Sequence, residues 1–552
     1  MPTAGNTSNA SHAATPTPLS APLHEHLRRH ARLQPHKPAF IWYGQALSYA
    51  ELDAASDAFA ARLAALGVRA GEPVALFLGN CPQYVVAHIG IQKLGAIVCP
   101  CGPLNKAHEL QFQLDDLQAR VIVAAAPLLP VVEQVRARTA LQQVFVVHCA
   151  DLLPAQPTLD LPAELQAALQ TDRSAERVLP PGCEDFLAVM RSGATPPATA
   201  VGLADTALMT YTSGTTGLPK GAMLSHDNVL FKTGAAADGN GVTGSDVLLA
   251  VAPLYHIAGM LMGIDVTLYT GATTVLLHRF DPVAVLQAIA QHRVSWWYSI
   301  APMNVACLQL PGVAQMDLSS LRVNPVTSFG IQFTEALAQQ WRGVAPQCQS
   351  FEAAYGLSET HTCDTCMPRD AIRWGTQGRA APGVTLRILD PDTGHERPTG
   401  ELGEIVLHSR GNFQGYWRKP EATAATLRNG WVHTGDMGRM DADGYLTFVG
   451  RFKEMIKVSG YSVFPEEVEA ILIKHPAVAQ AAVIAVPDAD KGEVVRAFIV
   501  PQPGQTVDEA GLIAWARDNM ATYKAPRSVR VIAALPATGA GKVLRRLLKD
   551  IA

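Results

Sequence analysis

One run of ten residues constrains the fold of this chain more than any other feature: Thr212, Ser213, Gly214, Thr215, Thr216, Gly217, Leu218, Pro219, Lys220 and Gly221. An apolar segment at 207–211, typical of a buried strand, comes before it, and a helix start at Ser225 comes after it. Glycines let backbone amides approach phosphate oxygens, hydroxyls donate to those oxygens, and a lysine neutralises their charge. The pattern predicts a polyphosphate-binding loop between a strand and a helix, with an ordinary flexible turn as the alternative. The spacing excludes a Walker loop, which requires Gly-x4-Gly-Lys-Ser/Thr.

Length and composition narrow the class of protein. The chain has 552 residues, 48% of them apolar, which is too long for one domain and sufficient for a large core. A net charge of −4 without a basic stripe argues against a nucleic-acid surface. The longest apolar stretch, 248–264, is broken by Pro253 and His256, so no transmembrane segment is predicted. Nine cysteines, an odd number, favour a reducing cytoplasm over a disulfide framework.

Composition and periodicity divide the chain into three parts. Residues 1–20 are rich in Ala, Ser, Thr and Pro and lack a basic residue, which predicts a disordered tail. Strand-like runs then alternate with amphipathic helices, one of them opened by a capping box at Ser48 and Glu51. Residues 151–200 have weak periodicity and are interpreted as a surface excursion. We predict a large multi-layer α/β domain over 21–450 and a small α+β domain over 451–552.

Three further motifs follow the glycine-rich run in order. They are 355–359 (Tyr-Gly-Leu-Ser-Glu), 431–436 (Trp-Val-His-Thr-Gly-Asp) and 536–542 (Pro-Ala-Thr-Gly-Ala-Gly-Lys). With the run at 212–221, they resemble the signatures of the adenylate-forming superfamily, which includes acyl-CoA synthetases, peptide-synthetase adenylation domains and luciferases. The resemblance covers nearly the whole chain beyond the tail. It implies a large N-terminal domain and a small, mobile C-terminal domain.

The resemblance implies a role for each motif residue. Glu359 would hold Mg²⁺, Asp436 would accept the ribose hydroxyls, and Lys542 would bridge the acid and the α-phosphate during adenylation. The catalytic set is then Lys542, Glu359 and Thr212. The residues expected to bind ATP or AMP are Thr212, Ser213, Gly214, Thr215, Thr216, Gly217, Lys220, Gly330, Tyr355, Gly356, Ser358, Asp436, Arg451, Lys457 and Lys542.

The same resemblance extends to the hinge, the CoA channel and the acid pocket. Lys453 would be the hinge of the small domain, and Ser459 and Gly460 would line the channel for the CoA arm. The acyl pocket would be formed by His256, Gly259, Tyr298, Phe329, Gly330 and Ile331. Phe329 and Ile331 depart from the Gly-Ala-rich turn of relatives. These walls suit a hydrophobic acid, either aliphatic or aromatic.

The predicted function is that of a stand-alone ATP-dependent acid–CoA ligase. It would activate a medium- or long-chain fatty acid or an aryl acid as acyl-AMP and then transfer the acyl group to CoA. ATP and CoA would be the co-substrates, and Mg²⁺ would be the cofactor. Tyr255 and His256 stand where amino-acid activators have an aspartate, which disfavours an α-amino acid. Two alternatives remain, an enzyme that loads a carrier protein and a non-catalytic nucleotide-binding homologue. Homodimer formation is possible and is not decided by the sequence. Cys363 and Cys366 are interpreted as buried thiols, with a zinc or redox site as the alternative.

Overall fold

The computed structural model describes residues 20–170, 178–212, 219–328, 331–458, 461–488, 492–538 and 542–551. Two eight-stranded sheets dominate this part of the chain. The first sheet contains Ser299–Ile300, Val323–Thr327, Trp296–Trp297, Val247–Ala250, Thr273–Leu276, Pro38–Trp42 and Gln45–Ser48 in spatial order, with Gln349–Glu352 paired to Val323–Thr327. The second sheet contains Gly415–Tyr416, Lys220–Ser225, Thr206–Thr212, Ile97–Pro100, Pro73–Phe77, Val121–Ala125, Gln143–Val147 and Cys183–Asp185.

Three smaller sheets follow along the chain. A short pair joins Thr365–Cys366 to Arg379–Ala380. The third sheet contains Thr385–Leu389, Gly403–His408, Trp431–Met440, Leu427–Arg428 and Leu446–Arg451. The C-terminal sheet contains Tyr461–Val463, Ile456–Val458, Gly492–Pro501, Val478–Asp488 and Ser528–Val531.

Helices cover the faces of the sheets, as a mostly parallel sheet requires for burial. The α-helices are Leu23–Leu33, Tyr49–Ala65, Pro82–Lys93, Ala107–Leu117, Leu129–Arg136, Ala163–Leu169, Phe186–Met190, His226–Asn240, Ile257–Met260, Val266–Thr270, Pro282–His292, Ala301–Leu308, Glu335–Val344, Pro420–Thr426, Pro465–Leu472, Glu509–Asn519 and Arg545–Lys549. A π-helical turn, Leu261–Asp265, connects Ile257–Met260 to Val266–Thr270. Among the described residues, no helix is both long and apolar enough to cross a membrane. The predicted multi-layer α/β architecture with a small α+β part is confirmed.

The helix starts predicted from capping residues are found in the structure. The Ser48 side chain accepts a hydrogen bond from the Glu51 N–H, and the Glu51 carboxylate accepts one from the Ser48 N–H at 2.8 Å, so helix Tyr49–Ala65 begins with the expected capping box. Helix His226–Asn240 begins in the same way after Ser225. Such caps satisfy backbone N–H groups that the helix itself leaves unpaired.

The strand–loop–helix arrangement predicted around the glycine-rich run is wrong. Strands Thr206–Thr212 and Lys220–Ser225 are antiparallel neighbours, with Thr212 opposite Lys220 and Thr206 near Ser225. The loop therefore connects a hairpin, and helix His226–Asn240 begins at the other end of that hairpin. The helix N-terminus is too far away to contribute its dipole to anion binding at the loop, since that effect fades within the first turn. Residues 213–218 of the predicted loop lie outside the described residues.

The interpretation of 151–200 as a surface excursion is also wrong in part. Cys183–Asp185 extends the second sheet beside Gln143–Val147, and helix Phe186–Met190 buries Phe186 against Phe59 and Phe145. This short strand and five-residue helix are too brief for periodicity to be recognised. Residues 171–177 lie outside the described part of the chain.

The C-terminal sheet has a core of its own. Helices Pro465–Leu472 and Glu509–Asn519 pack on it through Val468, Leu472 and Leu512, all buried. The short turn Phe452–Glu454 connects this unit to the last strand of the third sheet, Leu446–Arg451. The exact domain boundaries remain a prediction, and the tail predicted at 1–20 lies outside the described residues except for Ser20.

Candidate active site

The first sheet brings distant parts of the sequence to one edge. Its strands Val247–Ala250, Trp296–Trp297, Val323–Thr327 and Gln349–Glu352 are parallel neighbours, so their carboxyl ends share that edge. The segments that follow them contain His256, Tyr298, Ser328 and Tyr355. Ligands in open α/β sheets bind outside the carboxyl ends of the strands. The topology therefore gathers the segments of the predicted acid pocket and the motif at 355–359 at a place where such folds bind ligands.

Tyr355, which follows strand Gln349–Glu352, contacts Asp436 of the third sheet. The Tyr355 hydroxyl donates a hydrogen bond to Asp436 Oδ2 at 2.7 Å, and the Tyr355 ring stacks on Phe448 with centroids 6.0 Å apart. Asp436 lies opposite Arg451 across two antiparallel strands, and Arg451 Nε is 3.2 Å from Asp436 Oδ1. Two of the predicted nucleotide motifs, 81 residues apart, are thus in direct contact.

The carboxyl group of Asp436 retains an acceptor site. Burial raises the pKa of Asp436, while Arg451, Tyr355 and Lys542 act to lower it. Its Oδ1 atom is buried and has no hydrogen-bond donor among the described residues, because Arg451 Nε approaches it at a poor angle for a hydrogen bond. A hydroxyl pair of a ribose would supply the missing donor, since buried polar atoms are nearly always hydrogen-bonded.

Glu359 has a partner that the sequence did not reveal. The Tyr416 hydroxyl donates to Glu359 Oε1 at 2.6 Å, and the Lys220 ammonium lies 4.4 Å from the centroid of the Tyr416 ring. Tyr416 thereby connects the predicted metal ligand to the lysine of the glycine-rich run. The segment 415–417 had no spacing that could have linked it to Glu359, 57 residues away.

The donor set at Glu359 fits a Mg²⁺ ion that arrives with a nucleotide. One carboxylate keeps further lone pairs after accepting from Tyr416. No group of three His, Cys, Asp or Glu side chains suited to a metal occurs within the part of the chain that the structure describes. Mg²⁺ commonly binds through one or two carboxylates plus substrate phosphates and waters, so a single glutamate is sufficient.

Gly356 has a steric reason for its identity. A Cβ atom there would lie 2.5 Å from the Cys363 backbone nitrogen and 2.7 Å from the Thr362 Cα. Only glycine permits this approach, which folds the chain back on itself directly after Glu359. The motif 355–359 is therefore held in a compact turn.

Lys542 lies at the end of a C-terminal turn. The Thr538 N–H donates to the Lys542 carbonyl at 2.8 Å, and the Lys542 N–H donates to Thr538 Oγ1 at 3.1 Å. Part of the side chain reaches solvent. Desolvation and then Arg451 lower the pKa of Lys542, while Glu454 and Asp436 oppose them. Lys542 is therefore within electrostatic range of the predicted ribose site.

His256 is within electrostatic range of the same lysine. It precedes helix Ile257–Met260 and is partly buried. Desolvation, with a smaller contribution from Lys542, lowers the pKa of His256 to about 4. The imidazole is therefore neutral at physiological pH, which avoids repulsion between two cations at a place where an acid anion would bind.

A small apolar cavity, of about 10 Å³, lies at the carboxyl ends of strands Val247–Ala250 and Trp296–Trp297. It is lined by Leu249, Ala250, Val251, Ala252, Gly259, Met262, Gly263 and Tyr298. Gly259 and Tyr298 were predicted for the acyl pocket, whereas Met262, Gly263 and residues 249–252 were not, because nothing in their local pattern separates a cavity wall from an ordinary core. A Cβ on Gly259 would lie 2.1 Å from the Pro253 carbonyl oxygen, so glycine lets the helix approach the segment that carries His256.

Several predicted residues are not placed in the site by the structure. Ile331 packs beside Phe333 against a separate apolar cluster. Lys457 is exposed in strand Ile456–Val458, and its N–H donates to Glu493 at 2.8 Å. Phe329, Gly330, Ser459 and Gly460 lie outside the described residues. The roles of these residues remain predictions. Thr212 ends strand Thr206–Thr212, and Ser358 lies in the turn that carries Glu359. Their roles also remain predictions.

The cysteine pair shows the character of buried thiols. Cys363 is buried, and burial raises its pKa to about 12, so a thiolate is disfavoured. Cys366 is partly buried, and all nine cysteines are free. A zinc or redox role for the pair has no support from this geometry.

Glu352 is a buried acid that the sequence did not single out. It ends strand Gln349–Glu352, and it accepts hydrogen bonds from the Ser328 N–H at 3.1 Å and from the Ser328 hydroxyl. Burial raises its pKa from 4.5 to about 7, and the two bonds from Ser328 oppose this shift. Glu352 therefore fixes Ser328, which directly precedes Phe329 and Gly330 in the sequence, the residues predicted to border the acid.

The raised pKa of Glu352 predicts a pH-dependent stability. Between pH 4.5 and about 7 the folded protein holds a proton on Glu352 that the unfolded chain has released. The contribution of Glu352 to the free energy of unfolding is therefore complete below pH 4.5, and it is lost as the pH rises through about 7. The loss is on the order of 3 kcal/mol. In Glu352→Gln, which mimics the protonated acid, the apparent Tm is expected to fall by about 2 °C less than in the wild type between pH 5 and 8. Equal decreases in both proteins, measured by calorimetry, would contradict the shifted pKa.

Comparisons with known proteins agree with the site. The family model described as AMP-binding enzyme matches residues 27–417, and the model described as AMP-binding enzyme C-terminal domain matches residues 467–542. The chain is 31% identical over 528 residues to a long-chain-fatty-acid–CoA ligase of Bacillus subtilis (strain 168), covering 94% of this chain and 92% of the relative. It is 35% identical over 528 residues to a feruloyl-CoA synthase of Amycolatopsis sp, covering 94% and 96%. The crystal structure of the anthranilate CoA ligase AuaEII in complex with anthranoyl-AMP superposes with a TM-score of 0.83 at 28% identity, covering 97% of this chain and 98% of that one.

The chain belongs to the family of AMP-binding enzymes. This result confirms the resemblance to the adenylate-forming superfamily that the sequence motifs indicated. The predicted enzyme class, an AMP-forming acid–thiol ligase, is confirmed as well, since the relatives matched over almost their whole length are CoA ligases.

Proposed function

We propose that the chain converts an apolar carboxylic acid and ATP into acyl-AMP and pyrophosphate, and then transfers the acyl group to CoA with release of AMP. One observation carries the proposal. The apolar cavity and Tyr355, the partner of Asp436, both lie at the carboxyl ends of strands of the first sheet, with Lys542 in electrostatic range of both His256 and Asp436. An acid and a nucleotide bound there would be adjacent, and proximity accounts for much of such a reaction.

In the first step, a carboxylate oxygen of the acid attacks the α-phosphorus of ATP, and the bond to pyrophosphate breaks. Asp436 accepts the ribose hydroxyls, and Tyr355 offers adenine the ring face opposite Phe448. Lys542 lies between the two anions and offsets their repulsion, while Lys220 and the glycine-rich run hold the outgoing phosphates. Glu359 would hold Mg²⁺, which would neutralise phosphate charge.

In the second step, the CoA sulfur attacks the acyl carbonyl carbon, the thiol proton is released, and AMP departs with the electrons of the broken bond. Lys453, exposed in the turn between the third sheet and the C-terminal sheet, would be the hinge for rotation of the small domain. The rotation would remove Lys542 and present Ser459 and Gly460 to the CoA arm.

The hinge has its own test. Lys453→Pro fixes φ at one value and is expected to retain adenylation within about tenfold while thioester formation from acyl-AMP falls by about 100-fold or more. Single-turnover assays of each step would measure both rates. Equal losses in the two steps would contradict a hinge at Lys453.

The acid is proposed to be hydrophobic, with an aryl acid as the first candidate. The cavity wall combines aliphatic side chains with the ring of Tyr298. The chain is 35% identical to the feruloyl-CoA synthase of Amycolatopsis sp and 31% identical to the long-chain-fatty-acid–CoA ligase of Bacillus subtilis. Pyrophosphate release should be measured with acids from acetate to long-chain fatty and aryl acids, with and without CoA. A preference for long-chain acids would overturn the aryl proposal, and pyrophosphate release without a CoA thioester would favour carrier-protein loading.

The cytoplasm is the proposed location. All nine cysteines are free thiols, as a reducing compartment maintains them. The small-molecule acid, ATP and CoA are the proposed partners.

A further inference from the structure

A buried pair of side chains lies behind the proposed active site. His361 Nε2 is 3.1 Å from Asp265 Oδ2, and the two side chains are 0% and 1% exposed. The residues are 96 positions apart in the sequence. The mechanism proposed above uses neither of them.

Each member of the pair belongs to a segment that forms part of the site. Asp265 is the last residue of the π-helical turn Leu261–Asp265, which contributes Met262 and Gly263 to the apolar cavity. His361 directly follows the short turn Ser358–Thr360, which carries Glu359. The pair is therefore a direct contact between the cavity wall and the segment of the proposed metal ligand.

The backbone around His361 is held in an unfavourable conformation. His361, Thr362 and Cys363 have φ values of +54°, +55° and +52°, a region that residues with a Cβ seldom adopt, and never readily in succession. Such a segment persists only where its surroundings over-determine it. The Thr362 N–H donates to the Leu357 carbonyl at 2.7 Å, and the bond to Asp265 fixes the His361 side chain from the other side.

The pair is poorly satisfied for a purely structural contact. Asp265 Oδ1 and His361 Nδ1 are buried and have no hydrogen-bond partner among the described residues. Buried polar groups with incomplete partners cost stability, and well-packed apolar residues often do better at such positions. A function that depends on the position of both segments gives a reason for polar side chains here.

We propose that Asp265 and His361 are a positioning pair that sets Glu359 relative to the wall of the acid cavity, so that metal binding and acid binding both depend on it. The inference rests on the proposed roles of Glu359 and of the cavity. The hydrogen bond couples the π-helical turn to the turn at 358–360, and its loss lets both relax. The ATP contacts of Asp436 and Arg451 lie on the third sheet and do not pass through the pair.

The experiment compares Asp265→Leu, His361→Leu and the conservative His361→Gln, which can still donate to Asp265. Mn²⁺ binding is measured by electron paramagnetic resonance in the presence of a non-hydrolysable ATP analogue, KM is measured for the acid, and the Kd of the same analogue is measured without metal. Both leucine variants are expected to weaken Mn²⁺ binding and to raise the acid KM by roughly tenfold, with the metal-free Kd of the analogue unchanged. His361→Gln is expected to remain within about threefold of the wild type in both quantities.

A matched control separates positioning from stability. Asp246 is also a buried carboxylate, bonded to Ser295 and Thr243, but it precedes strand Val247–Ala250 at the opposite end of the first sheet. Asp246→Asn is expected to lower the Tm without changing Mn²⁺ affinity or the acid KM. If the Asp265 and His361 variants behave like this control, or if the metal-free Kd of the ATP analogue rises by the same factor as the acid KM, the positioning proposal is overturned.

Two additions keep the test decisive. If the leucine variants do not fold, Asp265→Asn replaces them, and unchanged Mn²⁺ affinity and acid KM in that variant would overturn the proposal. Glu359→Gln is measured in parallel. If Glu359→Gln binds Mn²⁺ like the wild type, the proposed role of Glu359 is refuted, and the proposed coupling to Asp265 and His361 is refuted with it. If Glu359→Gln loses Mn²⁺ affinity but the Asp265 and His361 variants do not, only the positioning role of the pair is refuted.

Discussion

Lys542→Ala is expected to slow the formation of acyl-AMP from acid and ATP by about 100- to 1,000-fold, the usual effect of removing one charged group that stabilises a transition state. Lys542 is in electrostatic range of His256 and Asp436, the residues proposed to flank the acid and the ribose. Alanine removes the only part of this side chain that can offset the charge of the two anions. The conversion of pre-formed acyl-AMP and CoA into the thioester is expected to stay within about threefold of the wild type, since Lys542 would have moved away.

Rapid-quench assays with radiolabelled acid measure each step separately. Lys549→Ala is a suitable control, because Lys549 is an exposed lysine of the last helix, Arg545–Lys549, close to Lys542 in the sequence. It should leave both rates unchanged. An equal loss of both steps in Lys542→Ala would show that the lysine supports the fold of the C-terminal unit or acts throughout the cycle, and the division of labour would be abandoned.

Asp436→Asn is expected to lower kcat/KM for ATP by about 100-fold. The two oxygens of Asp436 would accept charge-assisted hydrogen bonds from the ribose, and two such bonds contribute about 3 kcal/mol. Each 1.4 kcal/mol corresponds to a factor of ten. The substitution also leaves the Arg451 guanidinium, with its Nε 3.2 Å from Oδ1, without its partner charge.

A comparison of ATP with 3′-deoxy-ATP isolates the ribose contact. In the wild type, kcat/KM is expected to be about tenfold higher for ATP than for 3′-deoxy-ATP. In Asp436→Asn the two values are expected to be similar, because the 3′-hydroxyl and the carboxylate charge belong to one interaction. Tyr355→Phe provides a control, since it removes the hydroxyl that donates to Oδ2 but keeps the carboxylate. If Asp436→Asn discriminates between the nucleotides as strongly as the wild type, Asp436 does not bind the ribose.

The sequence predicted several local features of the fold well. A capping box and a motif of five to ten residues depend on neighbours in the chain, so the helix start at Ser48 and the motif at 355–359 could be recognised directly. The family, the fold class and the enzyme class followed from the order of such motifs. The error at the glycine-rich run has the same origin, because local pattern cannot show whether Lys220–Ser225 turns back beside Thr206–Thr212 before the helix begins.

Contacts between distant segments were decided only by the tertiary structure. Tyr416 meets Glu359 across 57 residues, Tyr355 meets Asp436 across 81, and Asp265 meets His361 across 96. The strand order of the first two sheets and the register of the third sheet set these distances, and neither leaves a signal in composition or spacing. The sequence by itself therefore determined which chemistry the chain carries, whereas the tertiary structure decided which side chains touch, because hydrogen bonds and burial depend on distances in space rather than on separation along the chain.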